Sequence, residues 1–128
     1  MITLGSRSFA GPFMAPLWSP PKGAGIYAVM APGWRPLTFR ALEFDQAGDL
    51  AAPGVVKQHP KYREWIGIVG TEWNLYIATL EMSLSTPSER NAMLRTLARE
   101  YRPEFKPIQE ISVRTLLLAQ AMRNNRDN

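Results

Sequence analysis

Gly25-Ile26-Tyr27-Ala28-Val29-Met30 is the stretch on which the fold turns. Ile26 to Met30 are apolar and β-prone, and Gly25 and the Ala31-Pro32-Gly33 turn bound them, so the run reads as a strand. Leu37 to Phe44 reads as a second strand, with Leu37, Phe39 and Ala41 alternating against Thr38, Arg40 and Leu42. The two are expected to pair as a hairpin across Pro32 to Pro36. Beyond them, Gly48 to Ala52 can start a helical turn that Pro53-Gly54 stops. Tyr62, Trp65, Ile66 and Val69 lie at helical spacing and predict a short helix from about Pro60 to Gly70. Trp73 to Leu80 reads as a third strand. Thr86 as N-cap, Pro87 at the first helical position and Glu89 at the capping-box position then start a helix that runs to about Tyr101.

Upstream of the hairpin the chain changes character. Six of the 11 prolines fall within the first 36 residues, and Pro fixes φ and removes a donor. Gly11 to Gly25 is therefore expected to hold neither a helix nor a central strand. Phe9, Phe13, Met14 and Trp18 suit an extended arm laid across the domain better than a solvated tail. Downstream, a helix is expected after Pro107, with an apolar stripe of Ile108, Ile111, Leu118 and Met122 and three consecutive leucines at Leu116 to Leu118. Such a surface needs covering, by the chain's own sheet or by the same helix of a second copy, and the homodimer is the favoured expectation. The expected fold is α+β: a small, mainly antiparallel three-stranded sheet with packed helices. The expected organisation is a proline-rich arm over 1–24, a core domain over 25–106, and a C-terminal helix and tail over 107–128.

The 128 residues suffice for one domain, and 45% hydrophobic with 20% charged residues argues against general disorder. Zero cysteines exclude a disulfide framework, a Cys-ligated zinc, an iron–sulfur cluster and a thiol nucleophile. One histidine, His59, leaves any Ser-His or His-rich metal site a single candidate. No run approaches the roughly 20 apolar residues of a membrane span. Met1 to Gly11 does not read as a secretory signal, so no membrane partner and a cytoplasmic address are expected. The formal charge of +4 permits contact with a polyanion without demanding it.

Three patches in order carry a resemblance. Gly25-Ile26-Tyr27 opens the first strand, Glu43-Phe44-Asp45-Gln46-Ala47-Gly48-Asp49-Leu50 follows, and Glu89 with Tyr101-Arg102-Pro103-Glu104-Phe105-Lys106 comes near the far end. Over Gly25 to Lys106 the series resembles the GIY-YIG nuclease superfamily. That resemblance implies phosphodiester hydrolysis with one divalent cation, Mg²⁺ or Mn²⁺, for which a hard carboxylate is a suitable ligand. It makes Tyr27 the tyrosine of the first motif, Glu89 the metal-binding glutamate, and His59 the counterpart of the family's histidine. The departures are as informative. Glu43 and Asp45 replace the tyrosine and glycine of the second motif, and Ala51, Ala52 and Pro53 stand where the phosphate-binding arginine belongs. Lys57, Lys61 or Arg40 could substitute, but a lysine offers a point charge where arginine offers a fork.

Each of these residues also has a plain structural reading. Tyr27 is an ordinary strand aromatic, Glu89 completes a helix cap, and His59 before Pro60 suits a turn. Arg95, Arg99 and Arg102 fall on one helical face, which serves phosphate contact or simple solvation. Lys57 to Arg63, including Lys57, Lys61 and Arg63, mixes cations with Tyr62 and is the best single nucleic-acid candidate. Glu43 and Asp45 would repel a phosphate from the cleft or recruit a cation to it. The expected function is a degenerate GIY-YIG-like protein, leaning away from enzyme activity and needing no certain cofactor, that binds nucleic acid or a protein partner. Two alternatives stand: a metal-dependent endonuclease with a rearranged site around Tyr27, Glu43, His59 and Glu89, and an inhibitor- or immunity-type interaction module.

Overall fold

The computed structural model describes residues 1–101. Seven elements dominate: β1 (Ile2–Leu4), β2 (Arg7–Met14), β3 (Gly25–Pro32), β4 (Phe39–Ala47), α1 (Tyr62–Val69), β5 (Tyr76–Glu81) and α2 (Pro87–Glu100). The strands form one five-stranded antiparallel sheet in the order β1-β2-β5-β3-β4. The main class is α+β, but the expected three-stranded sheet is corrected to five. The two added strands come from the segment expected to be an arm.

The local rule against proline in a strand misread this segment because it ignored where the neighbour ends. β1 pairs only with Arg7 to Phe9, so from Gly11 onward β2 is bonded on one side alone, to β5. Pro12 sits inside a register irregularity between Ala10 and Phe13, where no ladder donor is asked of it. Gly11 is required there, because its φ is +119° and a Cβ would lie 2.8 Å from the Ile77 carbonyl oxygen. After β2, Ala15 N–H donates to the Leu75 carbonyl at 2.8 Å, and Trp18 packs half-buried against the core.

β3 is the hub. Gly25 to Ala31 are all buried, and β3 is bonded to β4 on one side and β5 on the other. Its side chains alternate strictly between two cores. Tyr27, Val29 and Ala31 join Leu50, Val56, Trp65, Val69, Leu75 and Ile77 under α1, whereas Ile26, Ala28 and Met30 join Leu4, Phe9, Ala78 and Leu97 under α2. Gly25 follows from packing, since a Cβ would lie 2.6 Å from the Leu80 carbonyl oxygen and 2.7 Å from Leu50 Cδ1.

α2 begins as the sequence indicates. Thr86 Oγ1 accepts the Glu89 N–H at 3.1 Å while Glu89 Oε1 accepts the Thr86 N–H at 2.9 Å, with Pro87 at the first position. At its far end the Tyr101 phenol oxygen accepts the Ala41 N–H at 2.7 Å, and the ring meets Phe44 edge-on at 5.4 Å. The expected helix after Pro107, the dimer through it, and Arg102 and Lys106 lie outside the described residues. Among the described residues, no helix is long and apolar enough to cross a membrane.

Because Phe9 is fully buried and meets Phe44 at 6.1 Å, the N-terminal strands are part of the core. Phe9→Ala is expected to cost about 3–5 kcal/mol in denaturant unfolding, the range for deleting a core phenylalanine. A cost near zero would return residues 1–14 to the status of a dispensable arm.

Candidate functional site

The β3–β4 register assembles the site. Tyr27 lies opposite Asp45 and Val29 opposite Glu43, and directly opposed residues share a face. A register shift between Val29 and Met30 inserts Leu42 into β4, which turns Glu43 and Asp45 toward the α1 side. The connection from Gly48 to Lys61 then crosses this face, burying Leu50 and Val56 and placing His59 and Lys61 over β4.

Within the cluster, polar groups bind one another. Asp45 Oδ2 lies 2.7 Å from His59 Nε2, and the Lys61 backbone N–H donates to His59 Nδ1 at 3.1 Å. In the neutral ring the single proton is therefore on Nε2, aimed at Asp45, and both nitrogens are occupied. The ring also lies against Trp65, with centroids 4.6 Å apart. Lys61 Nζ donates to Glu43 Oε1 at 3.1 Å, a contact that raises the lysine pKa. Lys57 Nζ stands 3.9 Å from Glu72 Oε2, in the short 3₁₀ turn Glu72–Asn74, and the Tyr62 phenol donates to the same carboxylate at 3.4 Å.

Tyr27 is 2% exposed, and its phenol donates to the Val55 carbonyl across a long 3.5 Å. Burial, then the charges of Asp45 and Glu43, push its pKa well above the ordinary tyrosine value near 10. A phenolate able to take a proton from water is disfavoured by all three causes together.

Glu89 does not join this cluster. It is exposed on α2, which packs on the opposite face of the sheet, and its carboxylate is committed to the Thr86 cap. Hydrogen bonds from the Thr86 backbone, then its side chain, hold the Glu89 carboxyl below the usual carboxylate range. The donor set does not fit the metal centre that the resemblance implies, and among the described residues no group of three His, Asp or Glu side chains is placed to hold a metal ion. Arg63, Arg95 and Arg99 are exposed, whereas Arg40, a candidate substitute for the missing arginine, is 3% exposed. Thus the structure gathers Tyr27, Glu43, Asp45, His59 and Lys61, with Lys57 and Arg63 in or just after the same connection, and separates Glu89, Arg95 and Arg99.

Arg90 carries a role that the sequence reading missed. It is 5% exposed, donates from Nε to Gln46 Oε1 at 2.7 Å and from Nη1 to the Ser85 carbonyl at 2.7 Å, and so ties α2 to the end of β4. No spacing in the sequence pairs Arg90 with Gln46; only the packing of α2 across β4 brings them together. Comparison with family models, with curated proteins and with solved structures gives no match to this chain.

Tyr27 yields a pH signature. With its folded pKa above that of the unfolded chain, its contribution to stability is full below about pH 10 and is lost as pH rises through the folded value. In absorbance titration at 295 nm, Tyr27 is expected to ionise only beyond the ordinary tyrosine range or with unfolding; burial and Glu72 raise Tyr62 as well, so Tyr27→Phe is expected to take one phenol out of the late step. Ionisation of Tyr27 near pH 10 in the folded chain would show it open to water.

Proposed function

We propose that this chain is a non-catalytic binding protein, a degenerate relative of the GIY-YIG nucleases that contacts nucleic acid or a protein partner without cutting. The observation that carries this reading is the closed state of His59. A general base needs a free nitrogen within reach of a water or hydroxyl proton, and here Asp45 and the Lys61 N–H take both. Tyr27 adds no base, Glu89 is on the other face, and the cation nearest the missing arginine's role, Lys61, is bound to Glu43. The order hairpin, helix, strand, helix along Gly25 to Glu100 supports the family likeness, while the site chemistry supports lost catalysis.

A protein partner is the second reading, and it rests on a separate feature. β3 ends and β5 begins at the same end of the sheet, where the hairpin tip exposes Trp34 (61%) and Leu37 (96%) and the 3₁₀ turns Ala15–Leu17 and Glu72–Asn74 expose Leu17 (64%) and Trp73 (53%). Apolar side chains gathered at one end are more than a scattered exposed leucine requires.

Purified protein is expected to leave single- and double-stranded DNA and RNA intact with Mg²⁺ or Mn²⁺. Metal-dependent nicking that Glu89→Ala and Tyr27→Phe both abolish would overturn the non-catalytic reading and establish a working endonuclease.

A further inference from the structure

The connection between β4 and α1 carries three cationic or basic side chains at alternate positions, Lys57, His59 and Lys61, and each meets a different carboxylate. Lys57 faces Glu72 at 3.9 Å, His59 faces Asp45 at 2.7 Å, and Lys61 faces Glu43 at 3.1 Å. None of the three carboxylates belongs to the connection itself: Glu43 and Asp45 are on β4, and Glu72 is in the turn before β5. The strip that looks most suited to a phosphate chain is thus already occupied, residue by residue, by the fold's own anions.

We propose that Glu43 and Glu72 are built-in competitors that hold Lys61 and Lys57 off nucleic acid, so that the strip binds a phosphate chain weakly until those two carboxylates are displaced. This rests on the nucleic-acid arm of the reading above, and adds to it a regulation of the contact. The physical basis is competition at unequal concentration. A carboxylate fixed on the same fold is always present at high effective concentration, so a free phosphate must displace it before gaining anything. The outer pairs are individually weak, since the lysine side chains are 69% and 50% exposed and water screens both. A polyanion that offers phosphates to several cations at once can therefore replace them, where a single phosphate ion cannot. His59, the middle of the three, is the firmest, with its side chain 13% exposed and its ring against Trp65, so its contact with Asp45 stays in place while the lysines exchange partners.

The test measures anisotropy of a labelled single-stranded DNA oligonucleotide over a salt series, using the full chain and Glu43→Gln/Glu72→Gln. That variant leaves the Asp45–His59 contact intact, and thermal melting checks that it folds. It is expected to bind about tenfold more tightly at low salt, with the log–log salt slope steepened by about 1.4, or about 0.7 for each freed lysine. Adding Lys57→Ala/Lys61→Ala should abolish the gain, whereas Arg7→Ala/Lys22→Ala, which removes equal charge elsewhere, should preserve it. Glu72→Gln alone, which disturbs the exposed contact with Lys57 and the part-buried one with Tyr62, should give a smaller gain in the same direction. Unchanged affinity in the carboxylate variants, or a gain that survives loss of both lysines, would overturn the proposal. Neither result bears on cleavage, so the non-catalytic reading stands or falls separately on the nuclease assay.

Discussion

Burial of β3 on both faces governs what this molecule can do. A strand between two neighbours, with a helix packed over each face, must divide its side chains by parity. Odd positions from Tyr27 to Ala31 go under α1, and even positions from Ile26 to Met30 go under α2. Tyr27 and the N-terminal turn of α2 are separated by that division. The tyrosine and glutamate that a metal-dependent nuclease would combine therefore belong to opposite sides of one sheet, and each has a structural partner where it stands.

Glu43 and Asp45 act on both the buried tyrosine and the connection that crosses it. Burial raises the Tyr27 phenol pKa most, and the negative charges of Asp45 and then Glu43 raise it further. The two carboxylates also bind His59 and Lys61, fastening the β4–α1 connection across the sheet. A hydrogen bond whose partners are both saturated rigidifies a surface without leaving a group free for chemistry. The same two carboxylates thus help keep the tyrosine neutral and fasten the loop above it.

Signals confined to a few neighbouring residues were legible in the sequence. The Thr86-Pro87-Ser88-Glu89 cap is such a case, since both of its hydrogen bonds close within one turn. The β3–β4 hairpin and α1 were legible for the same reason. The N-terminal strands were not, because whether Pro12 is tolerated in β2 depends on the β1 pairing reaching no further than Ile2, opposite Phe9. Glu43 and Asp45 show the limit most clearly. Unbroken alternation from Phe39 and Ala41 would send both carboxylates to the α2 side, and only the extra residue at Leu42 turns them onto the face of Tyr27. Arg90 was missed because its partners Gln46 and Ser85 meet it through tertiary packing.

His59 is the one histidine of the chain, so its ring gives a single set of nitrogen resonances. Nitrogen-15 NMR of the neutral ring reads directly which nitrogen carries the proton. The account requires a protonated Nε2 held by Asp45 and a bare Nδ1 accepting the Lys61 N–H, both undisturbed by Mg²⁺. A ring protonated on Nδ1, or one averaging between tautomers and shifting with Mg²⁺, would mean that His59 has a nitrogen free for catalysis and would contradict the central claim.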